Sequence, residues 1–313
     1  ELELFAKMRP GLIQLEIGVQ STNGETVDAI HRHMDLDKLF HYVDRVHELG
    51  NIHQHLDLIA GLPYENYERF GCSFDDLYAH EPDQLQLGFL KVLKGTMMEE
   101  EVKKYSILYR NQPPYEVLGT KWLSYDEIIL LKGVEELVEL YYNSGQYTLT
   151  LKYAVPFFES PFRFYEMFSA WYRGYHKLNH NRLEKYNILR EFLREHIDEN
   201  EWDTLDEIML YDMYLRENVK GRPAWAKDTA QYKKEWKALY REQGEKLFPE
   251  DVQAGIYDSK RAANQSHIEV FEINIKKFEQ SGQVEKKQVF CLFDYSRRNP
   301  LNRAARTVEW EIL

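Results

Sequence analysis

Residues 12–21 read LIQLEIGVQS, residues 52–59 read IHQHLDLI and residues 83–93 read DQLQLGFLKVL. Each alternates with the period of two that places successive side chains on opposite faces of a strand. Ile13, Leu15, Ile17 and Val19 share one face of the first segment, and Gln14, Glu16, Gly18 and Gln20 share the other. In the second, Ile52, Gln54, Leu56 and Leu58 oppose His53, His55 and Asp57; in the third, Leu85, Leu87 and Phe89 oppose Gln84, Gln86 and Gly88. The three segments therefore agree on one apolar and one polar face.

Helical spacing fills the intervals. Leu36, Leu39, Phe40, Val43, Val46 and Leu49 precede a stop at Gly50, and Tyr67, Phe70, Phe74, Leu77 and Tyr78 follow the second strand. The order βαβαβ predicts parallel strands with right-handed crossovers. Crossover helices cover the apolar face, which leaves the polar face toward the lumen of an open sheet or barrel. An ordinary (β/α)8 barrel fills that interior with Val, Ile and Leu, so a polar lumen implies a large ligand. Asp57 matters most here, because a carboxylate on a largely apolar strand is costly unless it is paired or meets a polar cavity.

Past Gly95 the pattern turns to aromatic-rich helices, with Pro113 and Pro114 read as a hinge between two parts. Ser124 with Glu127 forms a capping-box signature. Helical patterns follow over about 162–178, 183–197, 202–218 and 229–247. Residues 267–275, 287–296 and 307–312 alternate again and suggest a small antiparallel sheet. The expected domains are 1–96, a partial α/β barrel of parallel strands; 97–260, a mainly helical extension; and 261–313, the antiparallel sheet.

The chain has 313 residues, a hydrophobic fraction of 43% and a formal net charge of −12 with interspersed charges. Such a balance disfavours general binding to nucleic acid or anionic membranes. No apolar run approaches the about 20 residues of a membrane span, and the polar start lacks the apolar stretch of a secretion signal, so the expected compartment is the cytoplasm. Beginning at Glu1 and entering a strand pattern by Leu12, the chain reads as part of a longer one.

The run Ile17-Gly18-Val19-Gln20-Ser21, then Arg32, then Leu56-Asp57-Leu58-Ile59-Ala60-Gly61-Leu62-Pro63 resembles the fourth and fifth strands of radical S-adenosylmethionine (radical SAM) barrels. Leu90 to Thr96 resembles the sixth strand and its exit loop, as in the cobalamin-binding and coproporphyrinogen-oxidase-like branches. Pro113 to Leu118 and the helices beyond resemble an extension of some cobalamin-binding members. The resemblance implies that Gln20 and Asp57 hydrogen-bond S-adenosylmethionine, that Arg32 pairs with its methionine carboxylate and that Ile59 lies beside the adenine. A sixth-strand contact falls within Phe89 to Lys91. Glu16, His53 and His55 share the polar face and are candidates to face substrate.

The resemblance further implies a 4Fe-4S cluster, a reductant such as flavodoxin or ferredoxin, an unidentified substrate and, in the cobalamin branch, cobalamin. The three-cysteine C-x3-C-x2-C loop and the glycine-rich second-strand motif are absent, and the only cysteines are Cys72 and Cys291. The expectation is a chain that does not perform the family's reaction by itself. A rival reading takes His53, His55 and Asp57 as the ligands of a metal-dependent hydrolase. Another takes the C-terminal half as a substrate- or RNA-recognition module with Arg297, Arg298, Arg303 and Arg306 near phosphates.

Overall fold

The computed structural model describes residues 2–174, 180–219, 221–242 and 244–311. The chain is a mixed α/β structure that divides into two compact units. One holds the chain through Gly145 and the helix that follows Val155; the other holds Gln146–Ala154 and the chain on to the C-terminal strands. Compactness thus groups the chain differently from a division at residue 96.

In the first unit, β1 (Gln14–Gln20), β2 (His53–Ala60) and β3 (Gln84–Phe89) form a parallel sheet in sequence order. The alternation of the sequence is realised: Val19, Leu56, Leu58, Leu85 and Leu87 are buried, while Gln14, Glu16 and Gln86 are exposed. Helices α1 (Leu36–His47) and α2 (Tyr67–Tyr78) connect the strands and bury Val43, Val46, Phe70, Phe74 and Leu77. Asp35 and Asn66 cap them by accepting from the backbone N–H of Lys38 and Arg69. Gln54 is the one polar side chain on the buried face of β2, and its amide donates to the Val43 carbonyl of α1.

The Pro113–Pro114 pair is a turn inside the first unit rather than a hinge between parts. Backbone bonds explain this: Val92 N–H donates to Tyr115 O, Val117 N–H donates to Leu90 O, and Lys91 bridges Glu116, so the chain after the prolines returns to the end of β3. Gly61, at φ +89°, adopts a left-handed turn under Val117, whose Cγ1 would lie 2.8 Å from any added Cβ. Helix α3 (Tyr125–Leu137) opens with the expected Ser124–Glu127 capping box.

Helix α4 (Thr148–Ala154) belongs to the second unit, and α5 (Pro161–Tyr172) to the first, where Tyr67 of α2 donates to Glu166 of α5 at 2.7 Å. Residues 175–178 of the expected helix lie outside the described residues.

The second unit is built around α7 (Trp202–Arg216), which follows α6 (Arg182–His196). From Thr204 to Tyr214 every residue of α7 except Asp206 is buried, as befits a helix covered on all sides. The antiparallel sheet β4 (Ser266–Ile273), β5 (Lys286–Arg298) and β6 (Ala305–Glu311) has β5 at its centre. Phe271 and Phe293 meet Tyr211 of α7, whereas Ile268, Phe290 and Leu292 join a second cluster with Tyr240, Leu247 and Phe248.

The helical pattern over 229–247 is met by a 3-10 turn at Ala230–Tyr232, α8 (Lys233–Glu242) and Gly244–Leu247, with residue 243 outside the described residues. The strand expected over 267–275 stops earlier, at Ile273, because Asn274 caps a helix, α9 (Ile275–Ser281).

Candidate functional site

The polar face of the first sheet carries the site. Pairing sets its rows: Gln14 opposite His53, Glu16 opposite His55 and Gln84, Gly18 opposite Asp57 and Gln86, and Ile59 opposite Gly88. Parallel pairing puts the members of each row on the same face, so the residues picked from sequence parity are neighbours in space. Gly88 carries no side chain beside Ile59.

The C-terminal end of β1 departs from regular pairing. The register with β2 shifts between Gly18 and Gln20, and Gln20 has φ +73°. Its amide side chain folds back over Gly18, where a Cβ would collide with it. Arg32, placed after the short helix Gly24–Ala29, donates from Nη2 to the Gly18 carbonyl at 2.5 Å. Gln20 and Arg32 therefore converge on Gly18, one strand from Asp57. Arg32 also lines an open groove of about 520 Å³ with Gly24, Val27, Asp28 and Leu36.

Asp57 Oδ1 is shielded from water and has no hydrogen-bond partner, and the same is true of His55 Nε2. Burial raises the Asp57 carboxyl above its usual range, and nearby Glu16 adds to the effect. Burial lowers His55, with His53 acting in the same direction, so the imidazole favours its neutral form. His53 packs edge-on against His55, with ring centroids 4.8 Å apart, and lies 3.7 Å from Asp83. A neutral histidine and a carboxylate, each with a vacant buried polar atom, suit a polar ligand that donates and accepts hydrogen bonds.

His53, His55 and Asp57 do not make a metal site: among the described residues no group of three or more His, Cys, Asp or Glu side chains is placed to hold a metal ion. Nor do the cysteines fit an iron–sulfur cluster, because Cys72 is exposed on α2 and Cys291 is buried in β5 of the other unit. Of the sixth-strand candidates, Phe89 ends β3 beneath the Lys132 ammonium, and Lys91 pairs with the returning chain at Glu116.

The arginine segment is largely committed within its own unit. Arg297 pairs with Glu250 and Asp251, Arg298 donates to the carbonyls of Arg216 and Arg303, and Arg306 binds Asp294 and the Leu247 carbonyl.

Sequence reasoning missed Glu65, a fully buried carboxyl that accepts from Ser21 and Ser73. Nothing in its surroundings, Tyr64-Glu65-Asn66 between a strand and a helix, distinguishes it from an exposed loop acid. Among the described residues no helix is long and apolar enough to cross a membrane.

Against known proteins, the chain is 29% identical over 101 residues to the oxygen-independent coproporphyrinogen-III oxidase-like protein HemZ of Bacillus subtilis (strain 168), a match covering 32% of this chain and 20% of that protein. It thus spans about a fifth of that relative's length. Among solved structures, coproporphyrinogen III oxidase (HemN) of Escherichia coli, described as a radical SAM enzyme, aligns with a TM-score of 0.32 and 21% identity. That alignment covers 44% of this chain and 30% of the other. The model of a family described as "Protein of unknown function (DUF4080)" matches residues 103–293. Since that match takes in more than half of the sequence, the chain belongs to the DUF4080 family.

Proposed function

We propose that β1–β3 are the closing strands of a radical SAM barrel and that their polar face binds S-adenosylmethionine. The observation that carries this reading is Asp57 Oδ1, a buried acceptor without a donor on the polar face of the parallel sheet. Gln20 and Asp57 hydrogen-bond the polar parts of the cofactor, Arg32 turns its guanidinium to the methionine carboxylate, and Ile59 lies against the adenine. Glu16, His53 and His55 face the substrate. The similarity to a coproporphyrinogen-oxidase-like protein supports the family, and the resemblance of the first 96 residues supports the placement.

In that family S-adenosylmethionine supplies hydrogen abstraction from substrate. This chain's own residues contribute binding and orientation, and its two cysteines do not supply the cluster. Reduction by a flavodoxin or ferredoxin, and group transfer with cobalamin, belong to the same proposal at the level of a longer parent protein.

Calorimetric titration of the chain with S-adenosylmethionine tests the reading. Saturable binding that Asp57→Ala abolishes is expected. Absence of saturable heat, or binding that is the same in the variant, overturns it.

A further inference from the structure

Two residues other than glycine sit in the left-handed region at the ends of adjacent strands: Gln20, at φ +73°, closes β1, and Tyr64, at φ +63°, follows β2. Such conformations cost of order 1–3 kcal/mol each and persist only where the surroundings enforce them. The residue after each is part of one hydrogen bond. Ser21 Oγ donates to Glu65 Oε1 at 2.6 Å, joining the exit of β1 to the exit of β2 across 44 positions of sequence.

Further bonds join the two exits to each other and to α2. On the β2 side, Thr26 Oγ1 donates to the Pro63 carbonyl and Asn23 Nδ2 to the Tyr64 carbonyl, both at 2.8 Å. On the β1 side, Asn23 N–H donates to Ser21 Oγ, and Thr22 N–H donates to Ser73 Oγ of α2. Ser73 Oγ in turn donates to the same Glu65 Oε1 at 2.8 Å. Ser21, Glu65 and Ser73 are all fully buried, and Glu65 Oε2 is shielded and unpartnered. Burial raises the Glu65 carboxyl, an expense with no evident return in packing, since an apolar side chain would fill the same space without it.

We propose that Glu65 is a positioning residue: through Ser21 it holds Gln20 in its left-handed conformation, with the amide over Gly18 and beside Arg32, where it meets the ligand. The inference rests on the S-adenosylmethionine reading for the identity of that ligand, but not for the clamp itself. Three elements share one acceptor atom, so loosening Glu65 frees a loop that Glu65 does not belong to.

The test combines amide hydrogen exchange with titration by S-adenosylmethionine in wild type, Ser21→Ala, Glu65→Ala and Glu65→Gln. Glutamine keeps the Oε1 acceptor and changes only the unpartnered atom. Expected are exchange at Thr22 and Asn23 at least about tenfold faster in Glu65→Ala and affinity about tenfold weaker in Glu65→Ala and Ser21→Ala, with Glu65→Gln close to wild type in both.

The clamp is overturned if Thr22 and Asn23 exchange at the wild-type rate in Glu65→Ala, or if glutamine fares no better than alanine. If Glu65→Ala does not fold, Ser21→Ala, which leaves the Glu65–Ser73 bond intact, decides by its affinity. A wild-type chain that does not bind S-adenosylmethionine removes the cofactor reading, while exchange in the Glu65 variants still decides the clamp.

Discussion

Asp57 in the first unit and Asp212 in the second are both carboxylates drawn away from water, and their surroundings treat them in opposite ways. Asp212, fully buried in α7, accepts from the backbone N–H groups of Leu149 and Thr150 and from the Thr150 hydroxyl, closing the start of α4. Glu207, Glu269 and Asp294 of the same unit are likewise taken up by internal donors. Glu309 differs, with a shielded Oε1 that has no partner. Asp57 keeps a buried oxygen with nothing to accept from, on a strand whose neighbours offer glycine and amide groups. A satisfied buried acid explains itself by the fold; Asp57 is unsatisfied on a sheet face that also carries His55 with an unpartnered Nε2, and the two together leave room for a ligand's polar groups.

The contrast is sharpest in what each carboxylate does for stability. Asp212→Ala leaves two buried N–H groups without an acceptor, and a loss of about 3 kcal/mol is expected in urea denaturation at pH 4. Burial pushes Asp212 up to about 6, against 3.8 in an unfolded chain. The folded state therefore holds the extra proton between those values, and wild-type stability falls as pH rises from about 4 to 6. The alanine variant lacks that slope, so the gap between the two proteins narrows over the same window. A variant as stable as wild type, or a gap that widens with pH, would break the comparison.

At Asp57 the pH dependence has the same sign, but the substitution acts in the opposite direction on stability and the effect is smaller. Its raised carboxyl means that ionisation costs folding free energy above the unfolded pKa. Asp57→Asn is expected to leave thermal stability unchanged or raise it, by under about 1 kcal/mol, while removing the ionised acceptor proposed for the ligand. Destabilisation of about 2 kcal/mol or more would show that Asp57 supports the fold as Asp212 does.

The first unit's sheet was legible because a strand buried on one side writes its register into the sequence: one parity carries Leu and Val, the other Gln, His and Asp. The same parity placed Glu16, His55 and Asp57 on one face. What stayed hidden depended on partners distant in sequence. Helix α4, Thr-Leu-Thr-Leu-Lys-Tyr-Ala, alternates like a strand and is helical where Asp212 binds its first turn. Pro113 and Pro114 read as a hinge in sequence, because the bonds that return the chain after them to Leu90 and Val92 join residues more than 20 positions apart. The arginines near residue 300 showed their charge and not Glu250, Asp251 or Asp294, which pair with Arg297 and Arg306. Glu65 was silent because its meaning lies in Ser21 and Ser73, on two other elements.

The most direct test is a crystal structure of the chain grown with S-adenosylmethionine. The ligand is expected on the polar face of β1–β3, its carboxylate at Arg32 and a donor group on Asp57 Oδ1, with Gln20 still folded over Gly18. A ligand bound elsewhere, with Asp57 Oδ1 left unpartnered, would contradict that placement.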